Sequence, residues 1–268
     1  MFTEKLQKVL ARAGLGSRRQ IEAWIQEGRV QVNRKTAVIG QRVSVKDDIR
    51  LNGRRVNSKR LQNQTRQIIC YHKPVGEVCT RRDPEGRPTI FKNLPKLTAG
   101  RWITVGRLDI NTSGLILLTT DGELANRLMH PSYGLEREYA VRVLGKVDEE
   151  MLTRLTKGVE LEDGVARFEV IQQAGGEGAN HWYHVTIKEG RKREVRRLWE
   201  SQGITVSRLM RIRYGQVRLP AYLRAGHWAQ LDKKEANDLL RQVDLYKKPT
   251  TNSDAQTKAR FRHRQARS

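Results

Sequence analysis

Residues 105–131, VGRLDINTSGLILLTTDGELANRLMHP, constrain the fold more than any other stretch. Gly106 and Gly114 bracket a short acidic loop that runs straight into Leu115-Ile116-Leu117-Leu118. A short apolar run bounded by turn residues reads as a buried strand. Asp121 then serves as the N-cap of a helix carrying Leu124 and Leu128, which must stop before Pro131. This arrangement would hold the Asp109 carboxylate rigidly at a sheet edge, where surrounding residues can exclude water. On its own terms, an Asp between glycines is most often a turn residue, since both favour turns for local reasons.

The same periodicities organise the rest of the chain. Leu6, Val9, Leu10 and Ala13 follow one helical face, Gly14 is a stop signal, and Ser17 caps a second helix carrying Ile21, Trp24 and Ile25 as far as Gly28. Short strands are expected at 30–32, 43–45 and 49–51, separated by turn residues. The polar stretch 58–67 lacks periodicity and reads as a linker, with domains of 1–63 and 68–247 on either side of residues 64–67. Tyr139, Val141 and Val143 alternate as a half-buried strand, as do Tyr183, Val185 and Ile187, and a helix near 193–201 buries Val195, Leu198 and Trp199. Strands and helices without regular βαβ alternation indicate an α+β fold with a mixed, largely antiparallel sheet. Residues 248–268 are polar and basic and read as a disordered cationic tail.

Charge narrows the partner. Lys and Arg outnumber Asp and Glu by 52 to 29, a formal net charge of +23, and residues 1–66 carry 16 basic against 5 acidic side chains. Nucleic acid is the usual use of such an excess, because each neutralised phosphate releases counterions. An anionic membrane surface competes, but no basic amphipathic anchor is present. The apolar runs are far too short to span a bilayer, and the N-terminal residues lack the apolar core of a signal peptide. Cys70 and Cys79 are too few for a disulfide framework, and with His72 they do not complete a zinc site. A reduced, cytoplasmic, monomeric protein without metal is the expectation.

GRLDINTSGLILLTTDGELANRLMHP closely resembles the signature of the pseudouridine synthases that act on bacterial ribosomal RNA, in the branch that includes the small-subunit enzyme A. Tyr71-His72-Lys73-Pro74-Val75-Gly76, Glu138-Tyr139-Ala140-Val141, Glu189-Gly190-Arg191 through Arg197, and Ser207-Arg208-Leu209 through Gly215 resemble that family's further motifs, in its order. Ala13 through Arg19 and Gly28 through Asn33 resemble a small helix-turn-helix (alpha-L type) RNA-binding module found in a ribosomal protein and in tyrosyl-tRNA synthetases. Cys79-Thr80-Arg81, Pro84 through Pro88 and Gly175 through Gly178 bring the large-subunit members nearest, which favours 23S rRNA as substrate.

The resemblance implies an isomerase that detaches uracil from its sugar at ring nitrogen 1 and rejoins it at carbon 5, with no redox cofactor or metal. It assigns Asp109 as the catalytic carboxylate, attacking the anomeric carbon or removing a neighbouring sugar proton, a logic akin to glycosidases. Arg196 would be the guanidinium that keeps Asp109 ionised in a dry pocket. Tyr139 would stack on the uracil and take the proton from carbon 5, and Leu209 would cover the other face. Lys73 and Arg107 would contact RNA, with Arg107 filling the space of the flipped uridine. Arg193 and Arg197 would grip phosphates, and Ser17, Arg18, Arg19 and Arg29 would bind RNA from the small module. The residues alone leave rivals for each role: Tyr139 as a core tyrosine, the arginines as mere phosphate contacts, Asp83, Asp121, Glu123 and Glu194 as capping or solvated carboxylates. A non-catalytic ribosome-assembly factor would share the charge and the module but not require Asp109. A synthetase would require a Rossmann half, which the pattern does not show.

Overall fold

The structure is a computed structural model describing residues 3–44, 46–61, 65–178 and 180–246. The expected tail, part of the expected linker and the last residue of the expected 43–45 strand lie outside the described residues.

The N-terminal unit contains β1 (Glu4–Lys5), α1 (Leu6–Arg12), α2 (Arg18–Gln26), β2 (Val30–Val32), β3 (Lys35–Thr36), β4 (Arg42–Val43), β5 (Ile49–Leu51), β6 (Arg54–Arg55) and α3 (Ser58–Leu61). Leu6, Val9 and Leu10 of α1 meet Ile21 and Ile25 of α2 and Val30, Val32 and Ile49 of the sheet in one buried cluster. The sheet runs β3-β2-β5-β6, and β1 pairs separately with β4. Ser17 begins α2 by accepting a hydrogen bond from the Gln20 amide at 3.1 Å, satisfying one of the amides a helix start leaves open. The linker reading of residues 58–61 is corrected: they form a helical turn whose Leu61 is buried in this core. Four residues are too few to show a period, so one anchoring leucine escapes sequence analysis.

The larger unit contains β7 (Ile68–Lys73), β8 (Ile103–Val105), β9 (Ser113–Thr119), α4 (Gly122–Met129), β10 (Arg137–Leu144), α5 (Glu149–Lys157), β11 (Val159–Leu161), β12 (Gly164–Ala166), β13 (Val170–Glu177), β14 (Asn180–Ile187), α6 (Glu194–Glu200), β15 (Thr205–Tyr214), β16 (Val217–Arg218), β17 (Trp228–Gln230) and α7 (Lys233–Gln242). Its main sheet runs β13-β14-β10-β15-β9-β7-β17, with β8 on β9 and β16 on β15. Every pairing in it is antiparallel except β9 with β15. The fold is therefore α+β with a mixed, largely antiparallel sheet.

The continuous apolar run now has its reason. Ile116 and Leu118 face one core with α5 and α6, while Leu115 and Leu117 face a second core with α4 and α7. A central strand covered on both faces has no polar side to alternate with. Asp121 caps α4, its carboxylate accepting from the amides of Glu123 and Leu124. Among the described residues, no helix is long and apolar enough to cross a membrane.

Candidate active site

Residues 106–112 join β8 to β9, and the glycines at either end, Gly106 and Gly114, both have positive φ. Gly114 has φ +101° and lies against β15 so closely that a Cβ there would overlap the Arg211 backbone. Without that approach the parallel Ser113–Met210 and Gly114–Arg211 pairs could not form.

Between the glycines, the loop is tied down through its carbonyls. Lys73, at the end of β7, is fully buried, and its Nζ donates to the carbonyls of Pro74 (2.9 Å) and Thr112 (2.8 Å), with Ile110 at 3.4 Å. Arg196, in α6, donates from Nη2 to the Asn111 carbonyl at 2.9 Å and from Nη1 to Val206 at 2.8 Å. Arg211, in β15, donates from Nε to the Leu115 carbonyl at 2.7 Å. The Gly76 amide reaches Ile110, and the Thr112 amide closes a turn on Asp109. Three buried cations thus hold the backbone carbonyls of Ile110, Asn111, Thr112 and Leu115, just beyond Asp109. Burial pulls the Lys73 ammonium below its ordinary value, and the nearby acidic groups of Cys79, Glu77 and Asp109 oppose that. Burial likewise lowers Arg196, helped by Arg193 and opposed by Asp109.

The fixed loop presents Asp109 to a cavity of about 1110 Å³, which is also lined by Arg107, Thr112, Tyr139, Arg193, Leu209 and Arg211. Tyr139 of β10 and Leu209 of β15 are each nearly buried, at 9% and 6% exposure. Tyr139 lies opposite Arg211, and Val141 opposite Leu209, so Tyr139 and Leu209 are diagonal neighbours across the strand pair. Tyr139 also packs with Val141 and Val143 in the core. Its hydroxyl bonds to no described residue.

Several expectations are corrected here. Asp109 is exposed, so the protein alone does not exclude water from it. Arg196 makes no ion pair with Asp109; its hydrogen bonds go to backbone two residues on, and its Nε is buried without a partner among the described residues. Lys73 has no exposed surface with which to meet RNA. Arg197 is engaged by Asp163 through two bonds of 2.8 and 2.9 Å and does not line the cavity. Glu194 is buried, its amide-bonded carboxyl pushed up by desolvation, so it is not a solvated carboxylate. Asp83 is neither free nor capping a helix but paired with Arg87.

The remaining residues fall into two groups. Arg107 and Arg193 line the cavity and are exposed, although Arg193 reaches back to Glu200 at 3.0 Å. In the N-terminal unit, Arg18 and Arg19 are exposed, while Ser17 spends its oxygen on the cap. Arg29 bonds Asn52 and Glu27 and lies over the Trp24 ring. Sequence reading passed over Thr112 and Arg211. Both are buried, line the cavity and carry a polar atom, Oγ1 and Nη2, with no partner among the described residues. Arg211 could have been found from strand alternation, since it follows Leu209 by two and so shares its face.

A basic, RNA-sized module joined to a sheet that presents a fixed carboxylate to an open cavity has the plan of an RNA-modifying enzyme. Comparison with known proteins makes that class specific. Residues 67–201 match the family model described as RNA pseudouridylate synthase, and residues 4–49 match the S4 domain. The chain belongs to the RNA pseudouridylate synthase family. It is 60% identical over 258 residues to the ribosomal large subunit pseudouridine synthase B of Pseudomonas aeruginosa, covering 96% of this chain and 66% of that one. To the protein of the same name from Yersinia pestis it is 58% identical over 244 residues, covering 90% and 77%. The chain thus spans about two thirds to three quarters of these relatives. A crystal structure of a pseudouridylate synthase superposes with a TM-score of 0.61 at 28% identity, covering 88% of this chain and 99% of that one. These relatives carry a large-subunit name, so the small-subunit branch name in the sequence resemblance does not stand.

Proposed function

We propose that the protein converts a uridine of large-subunit ribosomal RNA to pseudouridine, with Asp109 as the catalytic carboxylate. The observation that carries this reading is the presentation of Asp109 by a loop whose carbonyls are gripped by buried Lys73 and Arg196, with Arg211 holding the strand it runs into. Rigid placement of a reacting group replaces entropy that a mobile one would lose in the transition state. The large-subunit names of the relatives support the substrate.

The chemistry follows from the lining of the cavity. A uridine flipped out of its stack enters between Tyr139 and Leu209, which take the two faces of the base. Asp109 acts on the ribose, either at the anomeric carbon or on a neighbouring sugar proton, and the bond to ring nitrogen 1 breaks. The freed uracil turns, and carbon 5 bonds to the sugar. The Tyr139 hydroxyl takes the carbon 5 proton, and nitrogen 1 gains one, so no atom is lost overall. Because Asp109 is exposed in the free chain, the RNA itself supplies the cover that dries the site, with Arg107 entering the vacated stack. Arg196 contributes by fixing the loop rather than by pairing with the carboxylate.

In this reading, residues 1–63 capture a folded RNA element through Arg18, Arg19 and Arg29, residues 68–247 perform the chemistry, and the protein works as a cytoplasmic monomer. The test is to delete the gene and map every pseudouridine in both ribosomal RNAs by carbodiimide-based sequencing. Loss of a large-subunit pseudouridine, restored by the wild-type gene, is expected. Loss confined to the small subunit would overturn the substrate assignment.

A further inference from the structure

The seam between the two units gathers positive charge that the proposed chemistry does not use. Gly14, at the turn between α1 and α2, has φ +82°, and Gly100, just before β8, has φ +81°. The two backbones meet so closely that a Cβ on Gly14 would overlap the Gly100 carbonyl. Arg18, four residues on from that contact, lies close enough to Arg101 for the two charges to repel. Arg81 is also near Arg101, its guanidinium donating to the Trp102 carbonyl and lying 4.3 Å from the centre of the Phe91 ring.

We propose that Arg18, Arg101 and Arg81 form a seat for backbone phosphate of the RNA, bridging the N-terminal unit and the catalytic unit. The proposal rests on the reading of the chain as an RNA pseudouridine synthase.

Three features carry it. Arg101 has an Nε that is buried without a hydrogen-bond partner among the described residues. Arg101 stands between two like charges: burial and Arg18 lower it, burial and Arg101 lower Arg81, and no carboxylate among the described residues offsets either. Elsewhere in the chain arginines near a carboxylate pair with it, as Arg12 does with Glu4 and Arg87 with Asp83. A folded chain that holds like charges together without a counter-charge has a favourable place for an anion. A phosphodiester suits it, because guanidinium forks match phosphate oxygens. The position also matters. An RNA held at this seam touches both units at once, which fixes the distance between the element gripped by α2 and the uridine delivered to Asp109.

The experiment measures affinity of the full chain for a transcribed large-subunit ribosomal RNA fragment as a function of salt. Wild type, Arg101→Gln, Arg18→Gln and the double variant are compared, with melting temperature and pseudouridine yield recorded for each. Losing one phosphate contact lowers the log–log salt slope by about 0.7 to 1, which corresponds to binding weaker by roughly five- to ten-fold at 0.1 M salt relative to 1 M. Each single variant should show that change, and the double variant should lose less than the product of the two, because both side chains serve one seat. Arg101→Gln should melt no lower than wild type, since it relieves repulsion. An unchanged slope for Arg101→Gln overturns the seat, and so does a lowered melting temperature without a slope change, which marks the residue as structural. Pseudouridine formation by wild type together with an unchanged slope sinks the seat alone. A reduced slope with no pseudouridine formed by wild type sinks the enzymatic reading and leaves the seat standing.

Discussion

In the N-terminal unit the cations proposed to bind RNA face outward: Arg18 and Arg19 stand in solvent at the start of α2, and Arg29 lies on the surface over Trp24. In the catalytic unit Lys73, Arg196 and Arg211 turn inward, at 0%, 8% and 3% exposure, and donate to backbone carbonyls of the Asp109 loop and the start of β9. The same residue types therefore do two different jobs. An exposed cation exchanges counterions with a polyanion and costs the fold little. A buried one needs acceptors for most of its protons, and the match then makes the acceptor segment rigid. The strong positive charge of this chain is therefore not all available to RNA; part of it is structural reinforcement of the Asp109 loop and of the strand that follows it.

Replacing an inward cation should break the fold locally, and this is the largest expected effect. Lys73→Met removes the donor from the Thr112 and Pro74 carbonyls and should cost about 3 kcal/mol, the scale of leaving buried charge-assisted acceptors unmatched. In a domain of this size that corresponds to a fall in melting temperature on the order of 10 °C. Arg19→Gln, an outward change, should move the melting temperature by no more than about 2 °C while weakening RNA binding. Thermal denaturation of both variants compares the two classes directly; equal shifts would erase the distinction.

Tyr139→Phe comes next. Its hydroxyl bonds to no described residue, so stability should be unchanged, whereas isomerisation should slow by roughly 10²-fold or more if the hydroxyl moves a proton. Single-turnover assays that detect a cleaved but unrearranged base would place the block after bond breaking. Product formation at the wild-type rate would leave Tyr139 only its packing role.

The smallest effect concerns Arg197, a cation that is neither buried nor free. The Arg197 guanidinium holds the Asp163 carboxyl below its ordinary value of 3.8. A depressed carboxyl stabilises the fold above its unfolded pKa, and the contribution disappears as pH falls through the folded value. Wild type should therefore melt slightly above Asp163→Asn near neutral pH, and the two should converge below about pH 3.8. A gap that persists in acid would mean that the pair is not what distinguishes them.

Much of the scaffold was legible because its signals are local. The period of Leu6, Val9 and Leu10, the caps Ser17 and Asp121, and the run Leu115–Leu118 each declare an element within a few residues. The Asp109 loop was legible for the same reason, since its glycines and its acid are contiguous. What escaped depends on partners distant in the chain. Lys73 is buried only because the Ile110–Thr112 carbonyls fold over it, and Arg196 only because α6 packs against the same loop. Neither a charge nor a period reveals which cation will find such acceptors. The expectation of a dry Asp109 failed differently: glycine-bracketed rigidity was mistaken for enclosure, and the exposed carboxylate needs the RNA to complete its surroundings.

The most direct measurement of the central claim is tritium release from RNA labelled at uracil carbon 5, comparing wild type with Asp109→Asn at saturating protein. Asp109 makes no side-chain bond to the described residues, so the variant should fold and bind RNA within several-fold of wild type. The account predicts release by wild type and none above background by Asp109→Asn. Substantial release by the variant would contradict it.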